Sequence, residues 1–337
     1  MDNKQEINSK ADIRIAPMID WTDRHCRYFL RQISPNVMLY TEMITCGALL
    51  HGDVDRHLRF NDEEHPIALQ LGGSNPSDLA KCTELANQYG YDEINLNCGC
   101  PSDRVQSGAF GACLMKTPEK VRECLSAMRS ATDKPVTLKC RIGVDEFDDY
   151  EFLKEFIATT AESGCDTFII HARKAWLKGL SPKQNREIPP LRYDVVHQLK
   201  QDFPALKFLI NGGIQTLPQM EEQLALTDGI MIGREAYQNP YILADIERQI
   251  YSSANILSRE EIALKMIDYA RGQYENYGTP VKSITRHILG LYQGQKGAKI
   301  WRRTLSEAHK VAEDHFTLIQ DALDNMHSKK AQSCIAA

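Results

Sequence analysis

The amino-acid sequence predicts an α/β protein: a (β/α)8 TIM barrel with a C-terminal all-α helical domain. Three observations carry this. Eight short apolar runs of strand type alternate with helical runs over the first two thirds of the 337 residues. Polar or functional residues, Met18 after the first among them, stand at the C-terminal ends of seven of the eight runs, where such a barrel opens its catalytic mouth. From about Asn239 onward the pattern is helix only. A doubly wound open sheet gives the same alternation, but no G-x-G-x-x-G follows the first strand, so its dinucleotide-binding version loses weight.

In order, the strand candidates are Ile13–Pro17, Val37–Thr41, Ile67–Leu71, Glu93–Asn97, Val136–Arg141, Thr167–His171, Phe208–Asn211 and Gly229–Ile232. Between them Ser77–Tyr89, Pro118–Ala131, Tyr150–Ser163, Asp194–Asp202 and Leu217–Leu224 have helical periodicity. The later helices are expected at Tyr241–Tyr251, Arg259–Tyr277, Val281–Tyr292 and Leu305–Met326, with Ser258 and Glu261 forming a capping box before the second. The expected organisation is a barrel over 1–244, a helical domain over 245–330 and a frayed tail over 331–337.

Composition is that of an ordinary globular chain, 42% apolar and 25% charged. No window approaches the apolar run a transmembrane helix needs, and Met1 to Lys10 lack the apolar segment of a signal peptide. A cytoplasmic protein without membrane contact is expected. The ten cysteines are scattered, so a disulfide framework is not expected, and a lone C-x-C at Cys98 and Cys100 is a poor metal signal.

The chain is organised around Asn95-Leu96-Asn97-Cys98-Gly99-Cys100-Pro101-Ser102, which closes the fourth strand and enters a glycine-rich loop. A thiol there is held by backbone yet reachable; the bland alternative is a pair of buried cysteines that merely pack. Asn211-Gly212-Gly213 after strand seven and Gly233-Arg234 after strand eight stand where barrels of this class hold a phosphate. Lys139 lies inside strand five, where a charge is costly unless paired, and a cation there suits the N1–C2=O edge of a flavin. Gln70 can serve the same pyrimidine edge, and His171 is placed to position cofactor or substrate. Between Asp166 and Glu187, and again between Glu275 and Glu307, there are basic residues but no acidic ones, with Trp176, Tyr292 and Trp301 interleaved. Cations for phosphates with aromatics for stacking is a nucleic-acid pattern, and a solvated charge run is its bland counterpart.

Together these residues resemble the tRNA-dihydrouridine synthases, bacterial A type. The carriers are Ala16-Pro17-Met18 with Asp20, Gln70 to Gly73, Asn95 to Ser102 with Gln106 and Gly108 to Ala112, Lys139-Cys140-Arg141, His171 to Leu177, Ser181-Pro182-Lys183, Asn211-Gly212-Gly213 and Gly233-Arg234. The resemblance implies an FMN-dependent enzyme with NADPH as reductant, which reduces the C5=C6 bond of a uridine in the D loop of tRNA, at position 20 and often 20a. It makes Cys100 the proton donor. It implies FMN contacts from Pro17, Met18, Gln70, Lys139, His171, Asn211, Gly212, Gly213, Gly233 and Arg234, and tRNA contacts from Asn97, Lys183, Arg186, Lys299 and Arg302; it implies no protein partner and no metal. The competing readings are an FMN barrel acting on a small free pyrimidine and an RNA-binding protein with an inactive barrel.

Overall fold

The structure, a computed structural model, describes residues 11–102 and 108–335. Eight strands form one sheet: β1 (Asp12–Ile15), β2 (Leu39–Thr45), β3 (Ile67–Gly72), β4 (Glu93–Cys98), β5 (Val136–Arg141), β6 (Thr167–His171), β7 (Lys207–Asn211) and β8 (Gly229–Ile232). Their order is β1-β8-β7-β6-β5-β4-β3-β2, parallel throughout. The two end strands also meet. Arg14 bridges Met38, with the Ile15 N–H donating to Met38 O at 2.8 Å and the Met38 N–H to Ile13 O at 3.0 Å. The sheet therefore closes into the (β/α)8 barrel and leaves no free edge.

Strand boundaries follow local chemistry. β1 stops before Pro17, which has no N–H to give, while the Ala16 N–H turns to Ile232 O. β2 runs four residues beyond the expected Thr41 because the pairing shifts register between Tyr40 and Met43. At that bulge the Thr41 hydroxyl oxygen takes the Gln70 N–H at 3.0 Å, so the polar pair Thr41-Glu42 interrupts the pattern without ending the strand.

The five helices expected between the strands are present as Pro76–Tyr89, Pro118–Ser130, Tyr150–Ala161, Tyr193–Asp202 and Leu217–Leu224. Their starts are chemically marked. Asn75 caps the first from its side chain with Pro76 at its opening, Asp149 caps the third, and Thr216 with Gln219 forms a capping box. Apolar strand side chains facing these helices are wholly buried, as at Ile94, Leu96 and Cys98. Each buried apolar side chain of this size contributes about 1.5–3 kcal/mol. Inside the barrel Tyr40, Ala68, Ile169, Leu209 and Met231 pack together.

Four α-helices among the described residues were not expected: Arg24–Ile33, Cys46–His51, Val54–Leu58 and Arg234–Gln238. The first reads as polar because of its arginines, yet Arg27 and Arg31 are buried and donate to Thr22 O and Ser34 O. In the C-terminal part Arg259–Tyr277 stands as expected, with the Ser258–Glu261 box and Gly278 in the left-handed conformation behind it. The expected Val281–Tyr292 helix ends at Thr285, and the expected Leu305–Met326 helix is two, Ala298–Ser306 and Leu318–Ile335. Gly294 and Gly297 take positive φ (75° and 96°) between Thr285 and Ala298, and Gly297 stands immediately before the Ala298–Ser306 helix.

The chain divides into two compact units, one of Ala11–Ile19 with Val37–Gly233, the other containing Asp20–Asn36 and the chain from Arg234 onward. The division thus falls at 233/234, not at 244/245, and a segment between β1 and β2 belongs with the C-terminal helices. Side-chain chemistry accounts for this. Tyr28 stacks on Tyr269 at 3.8 Å between centroids, and Ser34 and Asn36 both donate to Glu247. Where a tail was expected from 331, the last helix runs to Ile335. Among the described residues no helix is long and apolar enough to cross a membrane.

Candidate functional site

The alternation of β4 sorts its residues. Ile94, Leu96 and Cys98 face the surrounding helices, while Glu93, Asn95 and Asn97 face the barrel interior. Cys98 is fully buried beside its register partner Cys140, and burial pushes its thiol pKa well up. Cys100 stands beyond the strand and is only half-buried. The two cysteines of the C-x-C therefore have different environments: one packs, the other is reachable.

The backbone carrying Cys100 is held from below. Asn97 Oδ1 accepts from the N–H groups of Gly99 (3.1 Å) and Cys100 (3.0 Å). Arg141, at the end of β5, donates Nε–H to Gly99 O at 2.8 Å, and its Nη1 donates to Lys174 O (3.1 Å) and Asn185 O (3.0 Å). One buried guanidinium thus ties together the cysteine turn, the loop after β6 and the segment near Asn185. Burial first, and then its cationic neighbours Arg186 and Arg173, hold the Arg141 pKa down at about 10, a trend that the nearby Cys100 opposes. The Cys100 sulfur is within 3.6 Å of the Ser102 hydroxyl.

Lys139 lies one register position from this turn, opposite Asn97. Its ammonium donates to Asn211 Oδ1 at 3.1 Å, and Asn211 Nδ2 in turn donates to Met231 O at 2.7 Å. Burial lowers the lysine pKa to about 8; Arg141 adds to this, and Cys140 and Cys100 act against it. No carboxylate pairs with it among the described residues, so a buried cation faces the mouth with a neutral amide as partner. His171, beside Arg141 and Lys139, is held neutral by burial and by those cations together with Arg173 and Arg186. Gly212 and Gly213 take positive φ (124° and 68°), and a Cβ on Gly212 would lie 2.9 Å from the His171 ring. Only glycine allows the turn and that approach. At Gly233 an added Cβ would lie 3.6 Å from Ala16 Cβ and 3.8 Å from Met18 Sδ, so the end of β8 and the Pro17-Met18 turn adjoin. The barrel mouth therefore brings Met18, Lys139, His171, Asn211, Gly212, Gly213 and Gly233 to the C-terminal ends of their strands. Arg234 opens the Arg234–Gln238 helix and falls in the other unit.

Other expected residues stand differently. Gln70 is buried and its amide is already engaged, donating to Asn95 Oδ1 and accepting from Asn97, both at 2.8 Å. Asn97, expected to meet nucleic acid, is 8% exposed, with both amide atoms bonded inside the protein. Lys183 and Arg186 are exposed around a short turn of 3₁₀ helix, Gln184–Arg186. Lys299 is exposed on the Ala298–Ser306 helix of the other unit, where Arg302 donates to Gln293 at 2.7 Å. Gln106 lies outside the described residues. The acid-free stretches are acid-free only along the chain: Lys174 pairs with Asp148 at 2.6 Å and Arg286 with Asp23 at 3.4 Å. Of the interleaved aromatics, Trp176 is exposed, with the Lys174 ammonium 4.2 Å from its ring centre. Trp301 is fully buried, donating its indole N–H to Ile288 O, and Tyr292 is buried against it. Those two rings build the helical core and do not form a stacking surface.

A closed parallel barrel with a reachable thiol, a buried cation and positive-φ glycines at its C-terminal mouth is the frame of a barrel enzyme. The chain matches the family model "Dihydrouridine synthase (Dus)" over residues 14–327, and it belongs to that family, whose enzymes are flavin-dependent. Relatives named tRNA-dihydrouridine(20/20a) synthase include those of Shewanella oneidensis (58% identical over 313 residues, 91% of this chain and 93% of that one) and Vibrio cholerae (56% over 301 residues, 88% and 91%). That of Escherichia coli K12 is 54% identical over 333 residues, 98% and 96% of the two chains. Among solved structures, a 2-naphthoyl-CoA reductase complex has the same barrel fold, with a TM-score of 0.54 at 11% identity over 71% of this chain. The chain spans about half the length of that one, covering 50% of it.

Proposed function

We propose that the protein reduces a uridine of the tRNA D loop, at position 20 and also 20a, to 5,6-dihydrouridine, with FMN as cofactor and NADPH as reductant. The observation that carries this is the Cys100 turn, clamped by Asn97 and Arg141 at the barrel mouth beside the Lys139 cation. The mouth suits an FMN: backbone at Gly212, Gly213 and Gly233 allows close approach, Met18 and Pro17 offer an apolar wall, and Lys139 offers a positive charge to the pyrimidine edge of the ring. Gln70 retains one amide hydrogen for that edge after serving Asn95. The bound reduced flavin supplies hydride to C6 of the uracil.

Cys100 gives its proton to C5. A thiol is a competent acid near neutral pH, with an ordinary pKa of about 8.5. Lys139 and the neutral His171 steady charge on the ring or on the uracil carbonyl. The uridine must leave the folded RNA to reach the mouth, as bases do for other enzymes that act on them. Lys183 and Arg186 on the barrel, and Lys299 and Arg302 on the helical unit, are the cations that would hold phosphates, and Arg234 is the cation nearest in sequence to the Gly233 turn.

The test is incubation of the protein with FMN, NADPH and unmodified tRNA, followed by mapping of dihydrouridine by position. Cys100→Ala is expected to keep FMN and NADPH oxidation and to lose turnover on tRNA by about 10²–10⁴-fold. Cys98→Ala is expected to keep turnover; the reverse pattern overturns the assignment.

A further inference from the structure

Six hydrogen bonds run in one direction from the interior of the barrel to the cysteine turn. Glu93, bridged to Arg14 at 2.7 Å, accepts from the Thr137 hydroxyl at 2.7 Å. Thr137 accepts from Asn95 Nδ2, Asn95 from Gln70 Nε2 and Gln70 from Asn97 Nδ2, each at 2.8 Å. Asn97 Oδ1 then accepts from the N–H groups of Gly99 and Cys100. Glu93, Asn95, Thr137 and Gln70 are all at most 3% exposed.

Both ends of this chain are chemically fixed. A carboxylate held by an arginine only accepts, and backbone N–H groups only donate. Thr137 must therefore turn its proton down to Glu93 and its lone pair up to Asn95. Each amide above it is then locked in one of its two orientations. The Thr137 hydroxyl at one end and the two N–H groups at the other demand the same orientation of every amide between them. Removing the hydroxyl leaves Asn95 Nδ2 without its acceptor, and the amides above it, up to Asn97, lose half of what holds them.

We propose that Thr137 and Asn95 are positioning residues for the reaction: they orient Gln70 and Asn97, and through Asn97 they hold the backbone that aims the Cys100 thiol. The inference rests on the reading of Cys100 as proton donor, while its first readout does not. Neither residue touches substrate. A buried polar chain of this kind is worth keeping only when every link is made, since a half-satisfied network costs more than an apolar one.

The experiment compares the Thr137→Val and Thr137→Ser variants with the parent holoenzyme. Val keeps the shape and removes the hydroxyl; Ser restores it. Hydrogen exchange at Gly99 and Cys100 is expected to speed up by about tenfold or more in T137V, and the maximal rate of dihydrouridine formation to fall by about 10- to 100-fold, the cost of a small misplacement of a reacting group. The KM for tRNA should stay within about twofold, because Thr137 and Asn95 lie below the mouth and do not meet the RNA. T137S should restore both exchange and rate. Asn95→Ser breaks the next link and should give the same pattern if T137V fails to fold. Unchanged exchange at the two amides, failure of T137S to rescue, or an equal rise in exchange over all strands overturns the proposal. If C100A keeps turnover while T137V still loosens the two amides, the ladder stands as the support of the turn and the donor assignment falls.

Discussion

Arg141→Met puts the cysteine turn to a quantitative test. The substitution keeps the aliphatic stem and removes three hydrogen bonds, to Gly99 O, Lys174 O and Asn185 O. Bonds from a charged donor contribute about 1.5–3 kcal/mol each, so the lower figure gives a loss of about 4–5 kcal/mol. Against this stands the cost of burying the cation. Its pKa is held at about 10, below the ordinary 12.5, which at about 1.36 kcal/mol per pH unit corresponds to about 3 kcal/mol that methionine does not incur. The net loss is about 1–2 kcal/mol, or a fall in Tm of about 2–8 °C for a unit of this size. The catalytic loss should be larger than the stability loss implies, about 10²-fold in dihydrouridine formation, because Gly99 loses one of its two clamps. Arg141→Lys should not rescue it, since a point charge on a flexible stem cannot reach three carbonyls at once. Calorimetry and turnover on unmodified tRNA are the assays. An unchanged Tm with full activity would show that the clamp is idle; a fall beyond about 15 °C would show that burial of the cation is far cheaper than its lowered pKa implies.

Three further outcomes are expected. Lys139 should carry its charge below about pH 8 and lose it above. The unfolded chain keeps that proton to about 10.4, so the lysine's penalty on folding is full below pH 8 and is relieved as pH rises toward 10.4. Stability should therefore gain over that window while flavin reduction by NADPH slows, with the limb at pH 8 or higher once an anionic ring sits beside the lysine; Lys139→Met should abolish both trends, as read from urea midpoints and stopped-flow rates at pH 7 and 9.5. Trp301→Ala should cost about 3–5 kcal/mol, measured by urea unfolding, since it empties the core of the helical unit and orphans Ile288 O. Lys183→Ala and Lys299→Ala should each weaken tRNA binding and reduce the slope of log affinity against log salt by about 0.7–0.9, with the maximal rate nearly unchanged; an unchanged slope would remove that lysine from the phosphate contacts.

Much of the fold was legible in the chain because barrel strands announce themselves. Val136–Arg141, Thr167–His171 and Gly229–Ile232 are apolar runs closed by a polar residue or glycine, and the structure keeps their boundaries. The Arg24–Ile33 helix was not legible, since its buried arginines satisfy themselves on backbone carbonyls that no local pattern reveals. The candidate mouth was legible at Cys100, Lys139, His171 and the glycine pairs, which stand one per strand end. Arg141 was visible as a strand-end cation, yet its three carbonyl partners come from the turn after β4, the β6 loop and the stretch near Asn185. Asn95 was visible only as the first residue of the cysteine motif and Thr137 gave no signal; their pairing was hidden, because an asparagine and a threonine in separate strands become neighbours only through register. Trp301 misled for the same reason: among Lys299, Arg302 and Arg303 it looks like a stacking ring, and helical periodicity turns it inward.

The sequence by itself determined the barrel, the order of its strands and the position of one thiol just past the fourth. Those follow from local information: alternation, turn residues and the abrupt polar ending of an apolar run. The tertiary structure alone decided that Cys98 is buried while Cys100 stays half-buried, which cations are already paired, and which way each buried amide points. Parallel pairing brings Gln70, Asn95 and Thr137 side by side from distant segments, and a buried donor must then find an acceptor among whatever the register supplies.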